Sequence, residues 1–518
     1  MTAVTLPASR TERGFTVLAC GLGLGVLGDL LLRATPWGLN FSIWTCALMG
    51  IGYWLVRRHH LPVSSDFSWL ALSVMLCAVA FVRRDSQALQ LIDMAALVGL
   101  LSLTALAAQG GPIRLRGMST YVTATIVACA HAWFGTPRLL FSDIKWSEIQ
   151  GQGRWRQLSA VAIGLIIAVP LLVLFGGLFA QADAGFESLV DSVSVDIPTL
   201  TGHVVLTAVI GGLAAGALRG AVMGTAETAG LGERTASPEL RFTSAVTALG
   251  ALDLLFLVFV GLQLRWLFGG AAVIAETTGL TVAEYARRGF FELVTAAALV
   301  LPILLVADWA TLVEGSRERR IFRWLAGLLV GLVGVMLVSA LQRMLLYVGT
   351  FGLTELRLYT TAFMVWLGGV FVWFALTVLM DGRPRFAFGA LAQALVVLGA
   401  LHIANPDALI TRVNVGRWNK GQVVTAAGAL QIDRETRTRG SDPVPFDAAY
   451  IARTLSADAV PALLDHLSEL PSDQQILVTR TLVERWGPDS KRDWRSWNWS
   501  EWTARGLVAA RVGQQMPR

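Results

Sequence analysis

Two acidic residues, Asp253 and Asp308, lie deep inside long apolar stretches and are the first candidates for chemistry. A charged side chain at the centre of a bilayer costs at least about 2.5–3.5 kcal/mol on insertion scales, so such residues typically face the interior of a helix bundle. They could bind a cation, relay protons, or pair with Arg265, Arg287 or Arg343 in a purely structural contact. The sequence therefore predicts Asp253 and Asp308 as substrate or ion pathway candidates, with structural pairing as the alternative.

A second polar cluster lies in the string GLTVAEYARRGFFEL at Gly279–Leu293. Arg287 and Arg288 stand beside a predicted membrane edge, directly ahead of Phe290 and Phe291. Two adjacent guanidinium groups could contact a phosphate head group or another anionic group. The alternative is that both arginines only anchor a helix end at the membrane interface.

Motifs for catalysis, metal binding or cofactor binding are absent from the sequence. It lacks GxxxxGK[ST], HExxH and CxxC, and its histidines have no metal-ligand spacing. Its cysteines fall singly inside apolar segments, which is typical of small apolar side chains: Cys20, Cys46, Cys77 and Cys129. We therefore expect no catalytic residues, no metal and no cofactor.

Long apolar runs must position these residues. Hydrophobic residues make up 54% of the chain and charged residues 15%, whereas an average soluble domain has about 25% charged residues. A hydrocarbon core about 30 Å thick requires about 20 residues of helix. The pattern predicts an all-α, polytopic transmembrane helix bundle of about twelve spans, near Phe15–Leu32, Leu39–Val56, Trp69–Val82, Leu89–Ala108, Ser119–Phe134, Leu158–Ala180, Thr201–Leu218, Thr243–Phe268, Phe291–Val313, Trp324–Leu341, Leu358–Met380 and Ala387–Ile403.

The composition changes after the last span, which predicts a transmembrane domain at 1–404 and a water-exposed helical domain at 405–518. Short amphipathic helices there carry apolar residues that should be covered by the membrane domain or a partner: Ile451, Leu455, Val460, Leu463, Leu464 and Leu467. The tail tryptophans Trp494, Trp497, Trp499 and Trp502 indicate contact with the membrane interface or a partner groove, with core packing as the alternative. Asn498-Trp499-Ser500 also matches a glycosylation sequon.

Loop charges give a mixed prediction of orientation. The loop Gln181–Leu200 is acidic, which favours the outside, and Gly315–Arg323 is rich in arginine, which favours the cytoplasm. Counting spans from these loops places the C-terminal region outside. The same count also places Arg57, Arg58, Arg114 and Arg116 outside, against the rule, so either one early span is miscounted or the rule is weakly obeyed in this chain. The net charge of +6 is too thinly spread to indicate a nucleic-acid partner.

Two connections in the second half share a helix-start pattern. Gly279-Leu280-Thr281 and Gly352-Leu353-Thr354 each follow a span that we expect to end at Arg265 and Arg343, respectively. In both strings the threonine suits the N-cap position of the next helix. The pattern predicts two related helix hairpins, although coincidence between apolar helices is an equal alternative.

Several strings resemble a bacterial multi-pass membrane family. They are VPLL through AQAD at Val169–Asp183, EYARRGFFEL, GLTELRLY at Gly352–Tyr359, NPDALI at Asn405–Ile410 and LSADAVP at Leu455–Pro461. The family is catalogued as domain of unknown function 4173, which is related to domain of unknown function 4153. The resemblance implies a multi-pass bacterial membrane protein and supplies no reaction or functional residues.

The leading hypothesis is a non-enzymatic sensing or scaffolding protein of the bacterial cytoplasmic membrane. Its expected partners are membrane lipids and a protein that binds the C-terminal helices. The second hypothesis is a secondary transporter or ion-coupled permease with Asp253 and Asp308 in its pathway. A membrane enzyme acting on lipid-linked substrates is the third.

Overall fold

The computed structural model describes residues 10–146, 197–224, 242–278, 290–310, 315–419, 448–487 and 493–511, together with single positions between 164 and 183. Within these ranges the chain is a bundle of α-helices without strands, as the apolar runs predict. The membrane part contains α1 (Arg10–Leu32), α2 (Leu39–Arg58), α3 (Phe67–Arg83), α4 (Gln87–Ala108), α5 (Met118–Arg138), α6 (Ile197–Met223), α7 (Phe242–Thr278), α8 (Phe290–Ala310), α9 (Ser316–Phe351), α10 (Glu355–Thr377) and α11 (Phe386–Ala404).

In the described part of the chain, nine helices are long and apolar enough to cross a membrane. They are all of the helices from α1 to α11 except α3, which is shorter, and α5. The polytopic all-α architecture is therefore confirmed. Of the predicted sixth span, Leu158–Ala180, only scattered positions are described.

Helices α7 and α9 are longer than the sequence predicts, at 37 and 36 residues. The predicted ends at Arg265 and Arg343 are wrong, because the two helices continue past these arginines to Thr278 and Phe351. Helix α9 ends only where Gly352 adopts a positive φ of 79°, which glycine tolerates without strain. Thr354 occupies the N-cap position of α10 without a side-chain cap hydrogen bond, while Thr281 lies outside the described residues.

Contacts between helix ends define one side of the bundle, here called the basic face. Arg114, past the end of α4, pairs with Asp66 at the start of α3 at 2.7 Å and lies over the Phe388 ring near the start of α11. Asp308, near the end of α8, pairs with Arg383 ahead of α11 at 2.7 Å. The basic residues at these and the connected helix ends are Arg10, Arg13, Arg57, Arg58, Arg114, Arg116, Arg317, Arg319, Arg320, Arg323, Arg383 and Arg385.

Helix α5, the fifth predicted span, starts at this same face, and the segment that follows it, Leu139–Asp143, lies against this face again. Near its start, the Tyr121 hydroxyl donates to the carbonyl of Ile113, at 3.0 Å. Just past its end, Asp143 accepts a hydrogen bond of 2.6 Å from Arg10, the first residue of α1. Near the end of α5, the Thr136 hydroxyl donates to the carbonyl of Gly212, midway along α6, at 2.5 Å. Helix α5 therefore does not reach the opposite face before the chain returns to Arg10.

Removing this one crossing resolves the conflict in the loop charges. Arg57, Arg58, Arg114 and Arg116 then lie on the same face as the arginine-rich start of α9. The number of crossings was overcounted from the sequence because an apolar composition shows that a helix can lie in an apolar environment, but not on which face its two ends lie.

The remaining helices form a compact group at the opposite side, here called the C-terminal face. They are α12 (Pro406–Asn419), α13 (Ala448–Thr454), α14 (Val460–Asp465), α15 (Ser472–Trp486) and α16 (Trp499–Arg511). One apolar cluster covers the predicted residues Ile451, Leu455, Val460, Leu463 and Leu464, and it includes Leu353 between α9 and α10. The C-terminal helices therefore pack on the end of the membrane bundle.

Candidate functional site

Asp253 lies on the face of α7 that packs against neighbouring helices. Its exposure is only 4%, and Leu249, Phe256 and Val260 on the same helical stripe also belong to packed apolar clusters. Within the described chain, neither carboxylate oxygen has a hydrogen-bond partner. Burying a carboxylate without a partner is costly, so Asp253 is the described intramembrane acid whose environment most favours a functional role.

Asp308 occupies a different environment. It lies two residues before the end of α8 and pairs with Arg383 at 2.7 Å, so it sits at the basic face. This arginine is not one of the predicted partners, which were Arg265, Arg287 and Arg343. The structure therefore gives Asp308 a structural ion pair and does not bring it together with Asp253.

The other predicted candidates, Arg287 and Arg288, lie outside the described residues. A further intramembrane acid, Asp29, lies one helical turn before Arg33, a spacing that favours a local ion pair. In the structure Arg33 is 3.8 Å from Asp29, but the closer contact is from His203 of α6, at 2.6 Å. Sequence spacing could suggest the first contact and not the second, because α1 and α6 are far apart in the chain.

The densest buried polar cluster joins the C-terminal helices to the membrane bundle, and it is here called the joint. Arg84, between α3 and α4, donates to the Asp458 carboxylate at 3.0 Å and to the carbonyl of His402 at 3.1 Å. The side chains of Arg84 and Asp458 are only 10% and 1% exposed. The His402 ring in turn contacts Asp93 of α4 at 2.9 Å, so the polar contacts continue into the bundle.

The start of α16 completes the joint. The Asn498 amide nitrogen donates to the carbonyls of Phe81 and Arg84, at 2.9 and 2.8 Å. The Ser500 hydroxyl lies 2.6 Å from the Asp458 carboxylate. Because the Asn498 side chain is buried and its nitrogen is engaged, a glycan on this sequon is incompatible with the fold.

Asp407 of α12 forms the third part of the joint. One of its carboxylate oxygens accepts hydrogen bonds from the amide and the hydroxyl of Ser456, at 3.1 and 2.5 Å. Burial raises the pKa of Asp407 above its ordinary value, and the neighbouring Asp458 carboxylate adds to this effect, although Ser456 and Arg84 oppose it.

This raised pKa predicts a pH dependence of the joint. A carboxyl whose folded-state pKa exceeds the unfolded value of about 3.9 contributes stability below that value and loses it as the pH rises through the folded-state pKa. We expect the C-terminal helices to resist thermal unfolding better in mild acid than at neutral pH. The Asp407→Asn variant should show a flatter profile between those conditions. An unchanged pH profile in this variant would contradict the assignment.

The tryptophans of the tail remain largely uncovered. Trp494, Trp499 and Trp502 are 67%, 53% and 58% exposed, so the alternative of core packing is wrong for them. Trp497 is less exposed, and its carbonyl accepts a hydrogen bond from Leu39, the first residue of α2, at 3.0 Å. The tryptophan strip, defined as these four residues, therefore begins at the edge of the membrane bundle and continues onto α16.

No motif search could find the joint, but the strings that carry the family resemblance meet there. NPDALI supplies Asp407, LSADAVP supplies Ser456 and Asp458, and GLTELRLY supplies Tyr359, whose hydroxyl lies 3.3 Å from that of Ser86. Among the described residues no group of three or more His, Cys, Asp or Glu side chains could hold a metal ion.

Three comparisons with known proteins test the family resemblance. Neither a curated protein nor a solved structure matches the chain. One family model matches residues 71–466, a range that begins in the third helix and contains all of the strings that carry the resemblance. The resemblance to domain of unknown function 4153 is thus confirmed, and that to domain of unknown function 4173 stays a prediction. Since this match covers more than half of the chain, this multi-pass membrane protein belongs to the family described as Domain of unknown function (DUF4153).

Proposed function

We propose that this protein is a non-enzymatic scaffold or sensor of a bacterial cytoplasmic membrane that presents its C-terminal helices to a protein partner. The C-terminal helices are held firmly on one side and uncovered on another, and this contrast supports the proposal. The joint fixes the C-terminal helices to the bundle through buried polar contacts, while the tryptophan strip on the same helices stays exposed. A fixed helix face with uncovered tryptophans has the features of a binding surface, because tryptophan is enriched among residues that dominate interface energies.

The charge distribution supports an extracytoplasmic position for this surface. In the described short connections between membrane helices, arginines concentrate on the basic face, and the positive-inside rule assigns such a face to the cytoplasm. The C-terminal helices lie at the opposite face, and α6 also begins there, where His203 contacts Asp29 near the end of α1. The partner is therefore expected outside the cytoplasm.

A groove beside the strip offers a place for a partner side chain. It has a volume of 470 Å³ and lies between the end of α15 and α16, with Trp486, Trp502 and Leu507 in its lining. Its walls are mainly apolar, which fits an apolar or aromatic anchor residue on the partner.

Site-specific photo-cross-linking in intact cells tests the proposal. A photoreactive phenylalanine analogue placed at Trp502 should give one discrete protein adduct. The same analogue at Ile476, which is 70% exposed on α15, serves as the matched control and should give none. The Trp502 adduct should also disappear in an Arg84→Met background. Equal adducts at both positions, or lipid adducts alone, would argue against a protein partner.

Asp253 favours the second candidate, an ion-coupled transporter. A buried carboxyl without a described partner is the kind of group that proton and cation pathways use. In that case, purified protein in liposomes would conduct protons or sodium ions down a gradient, and Asp253→Asn would abolish the flux. Asp308→Asn would serve as a comparison, because its carboxylate is already paired with Arg383.

A further inference from the structure

A cavity of 250 Å³ opens between α8, α9 and α10 near the C-terminal face. Phe290, Phe291 and Leu356 form much of its apolar wall, while Tyr347 and Arg357 line its polar side. Its size suits one head group or a short length of acyl chain rather than a whole drug-sized molecule, for which pockets measure about 300–1,000 Å³.

The polar side of this cavity carries positive charge. The Arg357 guanidinium stacks over the Tyr347 ring at 4.2 Å and donates to the carbonyl of Gly352, which fixes its position. Thr354, also in the lining, is the N-cap of α10, so the positive end of that helix dipole faces the same region. The acid that follows it, Glu355, lies beside Tyr450 of the C-terminal helices and is not part of the lining.

The apolar side faces the lipid. Phe291 and Leu356 are 50% and 62% exposed at the cavity, and Leu345 and Leu346 nearby on α9 are 60% and 52% exposed. Large apolar side chains exposed on a membrane-spanning helix contact acyl chains. A ligand that enters from this side must therefore be an amphiphile whose polar end reaches Arg357.

From this arrangement we propose that the cavity binds an anionic phospholipid from the leaflet at the C-terminal face. Arg357 contacts the phosphate, and Phe291 and Leu356 contact the first part of an acyl chain. A guanidinium fixed by a stacked aromatic ring suits a phosphate group, which it can contact through two N–H donors.

Native mass spectrometry of the full-length protein in detergent tests this site. The probes are phosphatidylglycerol, zwitterionic phosphatidylcholine and inorganic phosphate, each titrated separately. We expect one tight phosphatidylglycerol adduct and weaker retention of phosphatidylcholine. Arg357→Gln should weaken the phosphatidylglycerol adduct about tenfold, the effect of losing one charge-assisted contact, whereas Arg357→Lys should retain part of the affinity.

Arg320→Gln provides the matched control, because it removes an exposed arginine from the basic face. It should leave the tight adduct unchanged. Equal weakening by Arg320→Gln and Arg357→Gln would show general charge attraction and overturn the site. Displacement of the lipid by inorganic phosphate at matched concentration would also overturn it, in favour of a free-anion site. Unfolding temperatures without added lipid identify any variant that is merely misfolded, and in that event Arg357→Lys decides the outcome.

Discussion

Replacing Arg84 with methionine is expected to release the C-terminal helices from the membrane bundle. The substitution keeps an unbranched apolar stem but removes the guanidinium, which leaves the Asp458 carboxylate, 1% exposed, without the cation that it faces. Removing one partner of a buried ion pair typically costs about 3–5 kcal/mol. The carbonyl of His402 also loses its two hydrogen bonds from Arg84. Limited proteolysis of the full-length protein should then cleave within α13 to α16, while the wild-type helices resist.

Arg480→Met is the matched control for this experiment. Arg480 pairs with Glu484 on α15, where the two side chains are 76% and 60% exposed. An exposed pair contributes only about 0–1 kcal/mol, so this variant should keep the proteolytic pattern of the wild type. If Arg84→Met and Arg480→Met behaved alike, the joint would not hold the C-terminal helices in place.

Replacing Asp143 with alanine is expected to destabilise the membrane bundle itself. Its carboxylate lies 2.6 Å from the Arg219 guanidinium, and these two side chains are 1% and 0% exposed. Without the carboxylate, a fully buried guanidinium loses the anion that faces it, again at a cost of about 3–5 kcal/mol. Thermal unfolding in detergent should show a large decrease in the transition temperature.

A double variant separates charge from packing at this position. Asp143→Leu combined with Arg219→Leu removes both charges, and apolar replacement of a buried ion pair is often neutral or stabilising. The double variant should therefore be more stable than Asp143→Ala. Arg10→Gln should have a small effect, since the Arg10 side chain is 62% exposed. A double variant less stable than the single one would contradict the electrostatic explanation.

The membrane helices could be predicted because their signal is local. An apolar run near Gln87–Ala108 identifies a span without reference to any other part of the chain. The direction of a helix is not local, which is why α5 was counted as a crossing. Its ends are placed by Ile113 and Arg10, and composition does not report those contacts.

The joint escaped prediction for the same physical reason. Arg84 and Asp458 are 374 positions apart, and each alone resembles an ordinary charged residue near a helix end. Asp308 was expected deep inside a span, but it lies two residues before the end of α8, and its partner Arg383 belongs to a connection much later in the chain. Asp253 was expected to be buried, it is buried in the structure, and among the described residues its carboxylate has no hydrogen-bond partner.

Cysteine labelling of intact cells tests the central claim, that the C-terminal helices are held on the side opposite the arginine-rich helix ends. The background is a chain whose four native cysteines are replaced by alanine. Single cysteines are introduced at Ile476 on α15 and at Arg320 on α9, both exposed. A membrane-impermeant maleimide should label Ile476→Cys in intact cells, and Arg320→Cys only after the membrane is permeabilised. Labelling of both positions from the same side would contradict the two-sided arrangement, and labelling of Arg320→Cys alone would reverse its orientation.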